Sequence, residues 1–195
     1  MRIGTAVAAA LLVTGVTTGT ASAAPVNPQT GTLTYTCTYP GLAPQASTFT
    51  GSFTAEDTVP PGGTFTLTGV FLSHVMSPAL RSLFTAAGYD AVQGSFGATI
   101  TATNATPATA IISGGFPEQP VPTTGGLTFP ESAGDLTFTA GAAGSIGFAL
   151  GVQVSETLQF HQKRSGTWVA WSSNCTLKAT SPAQNRAFQP DIAIF

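Results

Sequence analysis

The chain has 195 residues, only 7% of them charged, and a formal net charge of −2. Six Lys and Arg against eight Asp and Glu leave no basic stripe of the kind that nucleic acid or an anionic lipid surface requires. Disorder goes with low hydrophobicity and high charge; 43% hydrophobic residues with so little charge is the opposite case, and a packed core is expected.

The N-terminus carries Arg2, an apolar run over 6–16, then Ala21-Ser22-Ala23. That order is the layout of a secretory signal peptide, residues 1–23, cleaved before Ala24. The apolar run is too short, and too rich in Thr and Gly, for the roughly 20 residues that cross a bilayer. Residues 24–195 have the length of one domain and are read as a single secreted β domain with no membrane span.

From there the chain alternates. In "TLTYTCTYP" Leu33, Tyr35, Cys37 and Tyr39 face one way and Thr32, Thr34, Thr36 and Thr38 the other, the pattern of a half-buried strand. "STFTGSFTA" repeats it with Phe49 and Phe53, and after a "PPGG" turn "TFTLTGVFL" places Phe65, Leu67 and Phe71 on one face. A helix is expected next. Beyond it Phe96, Ala98, Ile100 and Ala102 share a strand face. Residues 113–132 are full of Pro and Gly and read as loops and short edge segments, because proline cannot donate to a strand ladder. "DLTFTA" is a strand. "GSIGFALGVQVSETLQFHQ" is a long one with Ile146, Phe148, Leu150, Val152 and Val154 on one face, and "GTWVAWSSNCTLKA" and "PDIAIF" complete the set. Eight to ten strands punctuated by turns indicate an all-β fold, a β-sandwich of mostly antiparallel strands with one short helix. A closed β-barrel is the alternative.

The helix lies over 78–87. Ser77 suits the N-cap and Pro78 the first helical position. Leu80, Leu83, Phe84 and Ala87 recur at helical spacing, and Gly88 suits the position after the cap. About ten residues make a marginal helix without packing. The expectation is that Leu80, Leu83 and Phe84 are buried and close one end of the sheet assembly, with Arg81 in solvent. The helix is then either a fixed plug or a lid over an apolar cavity, and its short tethers favour the plug.

Cys37 and Cys175 are the only cysteines. An even number in an exported chain points to a disulfide, with two separate buried thiols as the rival. A zinc site from Cys37, Cys175, His74 and His161 has suitable residue types but lacks the close-spaced ligand pairs such sites use. No cofactor is indicated.

"YTCTYPG", the helix leading into "GYDAVQGSFGATITAT", and "NCTL" near the C-terminus resemble an uncharacterised family of secreted domains in high-GC Gram-positive bacteria. The resemblance implies a β-sandwich-like secreted domain with Cys37 and Cys175 paired. It implies no activity and no catalytic residue.

For chemistry the residues offer little. His74 sits where a strand hands over to the helix, and His161 at a strand end. "AGSIG" at 143–147 lacks the first Gly of a nucleophile elbow and precedes a strand rather than a helix. Of the carboxylates that could form a glycosidase pair, Glu56, Asp57, Asp90, Glu118, Glu131, Asp135, Glu156 and Asp191, most neighbour turn residues and are expected at the surface. The rows of Thr suit solvent-facing strands and show none of the fixed repeat of an ice-binding solenoid. The reading is a secreted, non-catalytic structural or adhesion-type domain of the cell envelope, acting through loops such as 113–132 or through strand edges. Its partner is unknown: a cell-wall polymer, another envelope protein or an apolar ligand. A module holding an apolar small molecule or lipid between its sheets is the alternative, with a hydrolase behind both.

Overall fold

The computed structural model describes residues 23–195. The expected leader lies outside that range except for Ala23 at its end. The described residues form thirteen strands and one helix: β1 Pro25–Val26, β2 Leu33–Thr38, β3 Gln45–Glu56, β4 Thr58–Val59, β5 Thr64–Met76, α1 Pro78–Ala86, β6 Tyr89–Thr103, β7 Ala105–Thr106, β8 Thr109–Pro120, β9 Leu127–Ala133, β10 Leu136–Ala140, β11 Gly144–Gln162, β12 Thr167–Leu177 and β13 Ala187–Ile194. The expectation of an all-β fold with one short helix holds.

The strands join in one sheet, ordered β1-β3-β2-β12-β11-β6-β8-β9-β5-β10-β7. A further pairing of β3 with β5 links its two arms. Eight strands, β3, β2, β12, β11, β6, β8, β9 and β5, therefore follow one another in a closed ring, with β5 and β11 on opposite sides. Their mutual pairings are antiparallel; the short pairing of β13 with β4 is parallel. Alternation decides what fills the ring. Leu33, Tyr35, Cys37 and Tyr39 are buried as expected, as are Phe49 and Phe53, and Phe96, Ala98, Ile100 and Ala102.

Two irregularities change the expected faces. In β5, Gly69 adopts φ +56°, a left-handed value that glycine takes without a Cβ clash. The register with β3 shifts between Ser52 and Thr54 beside it. A bulge of this kind inverts the parity of the strand, so Val70, Leu72, His74 and Met76 point inward while Phe71 is only half-buried. In β11 the register with β6 shifts between Leu150 and Val154. Val152, expected in the core, is turned out and is 48% exposed. The carbonyls freed at this second bulge are taken up locally. The Tyr35 hydroxyl donates to Gly151 O at 2.7 Å, and the Arg186 guanidinium donates to Leu150 O.

The Pro- and Gly-rich stretch is also more regular than its composition suggested. Residues 113–132 are largely strand, with β8 and β9 separated only by 121–126. Pro117 falls where the β6 register shifts between Val92 and Gly94, so no ladder bond is asked of it. Pro130 pairs with Ser73 on β5, and β8 meets β9 only at Gly114 and Gly115, which leaves the other edge of Pro130 free. These residues are therefore not the long loop surface expected for partner binding.

The helix forms as its signals indicate. Ser77 Oγ accepts from Leu80 N, Pro78 takes the first turn, and Ala87 is the C-cap, followed by Gly88 at φ +86°. The Gln162 amide closes the C-terminal end by donating to Ala87 O at 2.8 Å. Leu80 and Phe84 are buried, but Leu83 is 49% exposed, a correction to the expected plug. At 100° per residue Leu83 lies about 60° from Leu80 on the side away from Phe84. The contact stripe is narrow and centred between Leu80 and Phe84, and Leu83 falls off its edge. Arg81 is half-buried rather than in solvent, its Nε donating to Gly125 O at 3.1 Å.

Candidate functional site

Phe84 carries the helix onto the ring. It stacks on Phe160 at 4.4 Å and meets Trp171 edge-on at 5.3 Å, with Tyr39 and Tyr89 each at 6.5 Å. At the far end a second aromatic group, Phe53, Phe65, Phe138, Phe148 and Phe188, fills the interior. Between the two lies a polar layer.

Three strands supply its centre. His74 comes from β5, Glu131 from β9 and Glu156 from β11; they are 0%, 0% and 3% exposed. Each follows the parity of its strand: His74 lies between Leu72 and Met76, Glu131 follows Leu127 and Phe129, and Glu156 lies between Val154 and Leu158. Because β5 and β11 face each other across the ring, the His74–Glu156 contact crosses the interior. Nδ1 is 2.5 Å from Oε1, between residues 82 apart in sequence. The imidazole is clamped, stacked on Phe49 at 4.2 Å and against the edge of Phe129 at 5.1 Å. With Nδ1–H donating to the carboxylate, a neutral ring has its lone pair on Nε2. One donor atom from each of His74, Glu131 and Glu156 lies within 4.8 Å of the others.

The electrostatics follow from burial. Desolvation, reinforced by the neighbouring Glu156 carboxylate, pushes the Glu131 carboxyl up to about 10, so without a counter-charge Glu131 is neutral at ordinary pH. Tyr39 is likewise driven well above the usual phenol range, chiefly by burial and then by Glu156, with Ser47 and Ser173 as its polar neighbours. Tyr35, on the same strand as the disulfide, is raised to about 12 by burial, opposed by Arg186.

The polar layer is incompletely satisfied. Among the described residues, the buried side-chain atoms without a hydrogen-bond partner are Tyr39 Oη, Ser47 Oγ, His74 Nε2, both oxygens of Glu131 and Glu156 Oε2. Burial of such an atom without a partner costs about 1–3 kcal/mol, and an unsatisfied native group calls for a water, an ion or a functional role.

The sequence marks His74 by its place at the strand–helix handover; of the eight carboxylates, most of which were expected at the surface, Glu131 and Glu156 are buried. Alternation was the available signal, since Glu156 shares parity with Val154, Leu158 and Phe160. The two cysteines form the Cys37–Cys175 disulfide, across paired positions of β2 and β12, which removes them from any zinc site. His161 lies far from His74 in role: its Nδ1 is 2.7 Å from Asp90 Oδ1 at the surface, beside Trp168 at 5.2 Å. The described hydrogen bonds bring no Ser hydroxyl to it.

The outer face carries a second feature. Ile111, 74% exposed, and Val152, 48% exposed, flank a shallow open depression of about 590 Å³. Gly97 and Thr99 of β6, Gln153 and Ser155 of β11, and Asn174 and Thr176 of β12 help to line it. The lining has no charged side chain. Among the described residues, no helix is long and apolar enough to cross a membrane.

The chain belongs to a family of unknown function, DUF6801, which matches residues 34–189. The match takes in both cysteines, the helix and all three residues of the polar layer. No curated protein and no solved structure matches the chain.

Proposed function

We propose that this member of the DUF6801 family is a non-catalytic extracellular domain of a high-GC Gram-positive bacterium, acting as an adhesion-type module of the cell envelope. The observation that carries this reading is the outer face of β8, β6, β11 and β12, where Ile111 and Val152 stand out over a neutral lining of Gly, Thr, Ser, Asn and Gln. Two large apolar side chains exposed on one neutral face make it the candidate contact surface of the described residues. The absence of charge in the lining suits a neutral polymer or protein surface and offers nothing to an anion. Supporting it, the buried His74 and Glu156 are sealed from any substrate-sized molecule, and the disulfide fits an oxidising compartment.

The test is co-sedimentation of the purified chain with cell-wall sacculi and with envelope membranes of such a bacterium. The double variant Ile111→Asp, Val152→Asp should lose most of the retention while keeping its thermal midpoint, because both side chains are outside the core. Retention unchanged in the variant, or no retention by either fraction, refutes the assignment of this face.

A further inference from the structure

We propose that His74, Glu131 and Glu156 form a buried binding site for one divalent transition-metal ion, a structural centre that ties β5, β9 and β11 together across the ring. Two observations and one argument from charge converge on it. The first is the donor set: an imidazole and two carboxylates, the nitrogen and oxygen ligands that Zn²⁺, Mn²⁺, Fe²⁺ and Co²⁺ accept, with one donor atom of each within 4.8 Å of the others. The second is the pattern of unsatisfied groups. His74 Nε2, both oxygens of Glu131 and Glu156 Oε2 are buried without partners, and Tyr39 Oη and Ser47 Oγ add two more at the same layer. The interior elsewhere leaves no such atom among the described residues, so the deficit is concentrated in this one layer; Glu156 meets the Nδ1 side of the ring, so an ion shared by the two takes the place of the Nδ1 proton, and Nε2 keeps the other ring proton. The third is charge. A metal binds imidazole neutral and carboxylates ionised, so the three ligands carry −2 together, and one divalent ion cancels it. A site of this burial tolerates no net charge without heavy desolvation cost.

The surrounding groups suit a ligand shell. Tyr39 lies near Glu156 and Glu131, with Ser47 and Ser173 beside its hydroxyl, and is able to orient a ligand oxygen or a metal-bound water. Phe49 and Phe129 hold the imidazole plane. The aromatic layer under α1 and the second layer at the far end exclude solvent on both sides, so a bound ion would be loaded as the ring closes and exchange slowly thereafter. Three protein ligands in a sealed site with no substrate-sized access make this a structural centre and not a hydrolytic one.

The experiment produces the chain, disulfide intact, in media supplemented separately with ZnCl₂, MnCl₂ or CoCl₂. Each preparation is passed through gel filtration in EDTA and its metal content measured. About one equivalent of at least one metal is expected to stay with the protein, and the cobalt form should show a visible d–d absorption. Glu131→Gln, which keeps shape and burial, should lower retained metal at least tenfold, and His74→Gln should abolish or shift the cobalt band. Less than about a tenth of an equivalent for all three metals in folded wild-type protein overturns the proposal and leaves the layer to buried water and protons. Full metal retention in Glu131→Gln overturns it equally, since the ion would then lie elsewhere. If His74→Gln does not fold, wild-type stoichiometry and Glu131→Gln still decide.

Discussion

Replacing Phe84 by alanine removes the side chain on which α1 depends. Phe84 is 1% exposed and makes close ring contacts with Phe160 and Trp171. Phe→Ala in a core costs about 3–5 kcal/mol, from lost transfer energy and the cavity left behind. Two tight aromatic pairs, each about 0.5–1.5 kcal/mol beyond area, place Phe84→Ala toward the upper part of that range. Leu83 gives an internal control. It stands one residue away on the same helix, but half its surface is already in water, so Leu83→Ala should cost about 1 kcal/mol or less. The assay is urea unfolding of both variants, with the midpoint and slope compared, together with native-state hydrogen exchange over α1. A fixed plug predicts the large difference between the two variants and exchange at Leu80 and Phe84 only through global unfolding. A cost for Phe84→Ala near that of Leu83→Ala, or early exchange of these amides that slows when a fatty acid is added, refutes the plug and makes α1 a lid.

Intact mass and alkylation of the secreted chain should show a start at Ala24 and no free thiol without reduction, and Cys37→Ser should destabilise by about 5 kcal/mol on the chain-entropy account, given a sequence separation of 138; alkylatable thiols in unreduced protein would contradict the pairing. In metal-free protein held in EDTA, stability should fall as pH rises above about 4.5, because the unfolded Glu131 carboxyl has lost its proton there while the folded one keeps it up to about 10. Unfolding then releases a proton throughout that window, so the contribution of Glu131 to stability declines across it. Glu131→Gln should flatten the slope, and a flat wild-type profile would show that Glu131 is not held neutral.

Much of the architecture is legible from local pattern. Period-two alternation identifies the buried faces of β2, β3 and β6. Ser77, Pro78 and Gly88 bound the helix by chemistry acting within one turn. The cysteines pair as their even number suggests. These features rest on interactions between residues a few positions apart, or on composition, and so are present in the order of residues itself. The polar layer was half legible: His74 was noticed, and alternation alone would have put Glu156 on the buried face of β11, but a charged residue on an apolar stripe looks like an error of phase until its partners are known.

What the tertiary structure decided is phase and company. A one-residue bulge at Gly69 inverts the side chains beyond it, moving His74 to the inside and Phe71 off the core, while a two-residue irregularity at 151–153 turns Val152 into the solvent and leaves Val154 and Glu156 on the face that Ile146 and Phe148 began; nothing local announces where either falls. The orientation of α1 on its support, not its periodicity, exposes Leu83. The pairing of β3 with β5 closes the ring and sets β5 opposite β11, which is what brings His74 to Glu156 across 82 residues of sequence. Alternation says which way a side chain points. Only ring closure says what it points at, because that contact depends on the pairing of strands far apart in the chain.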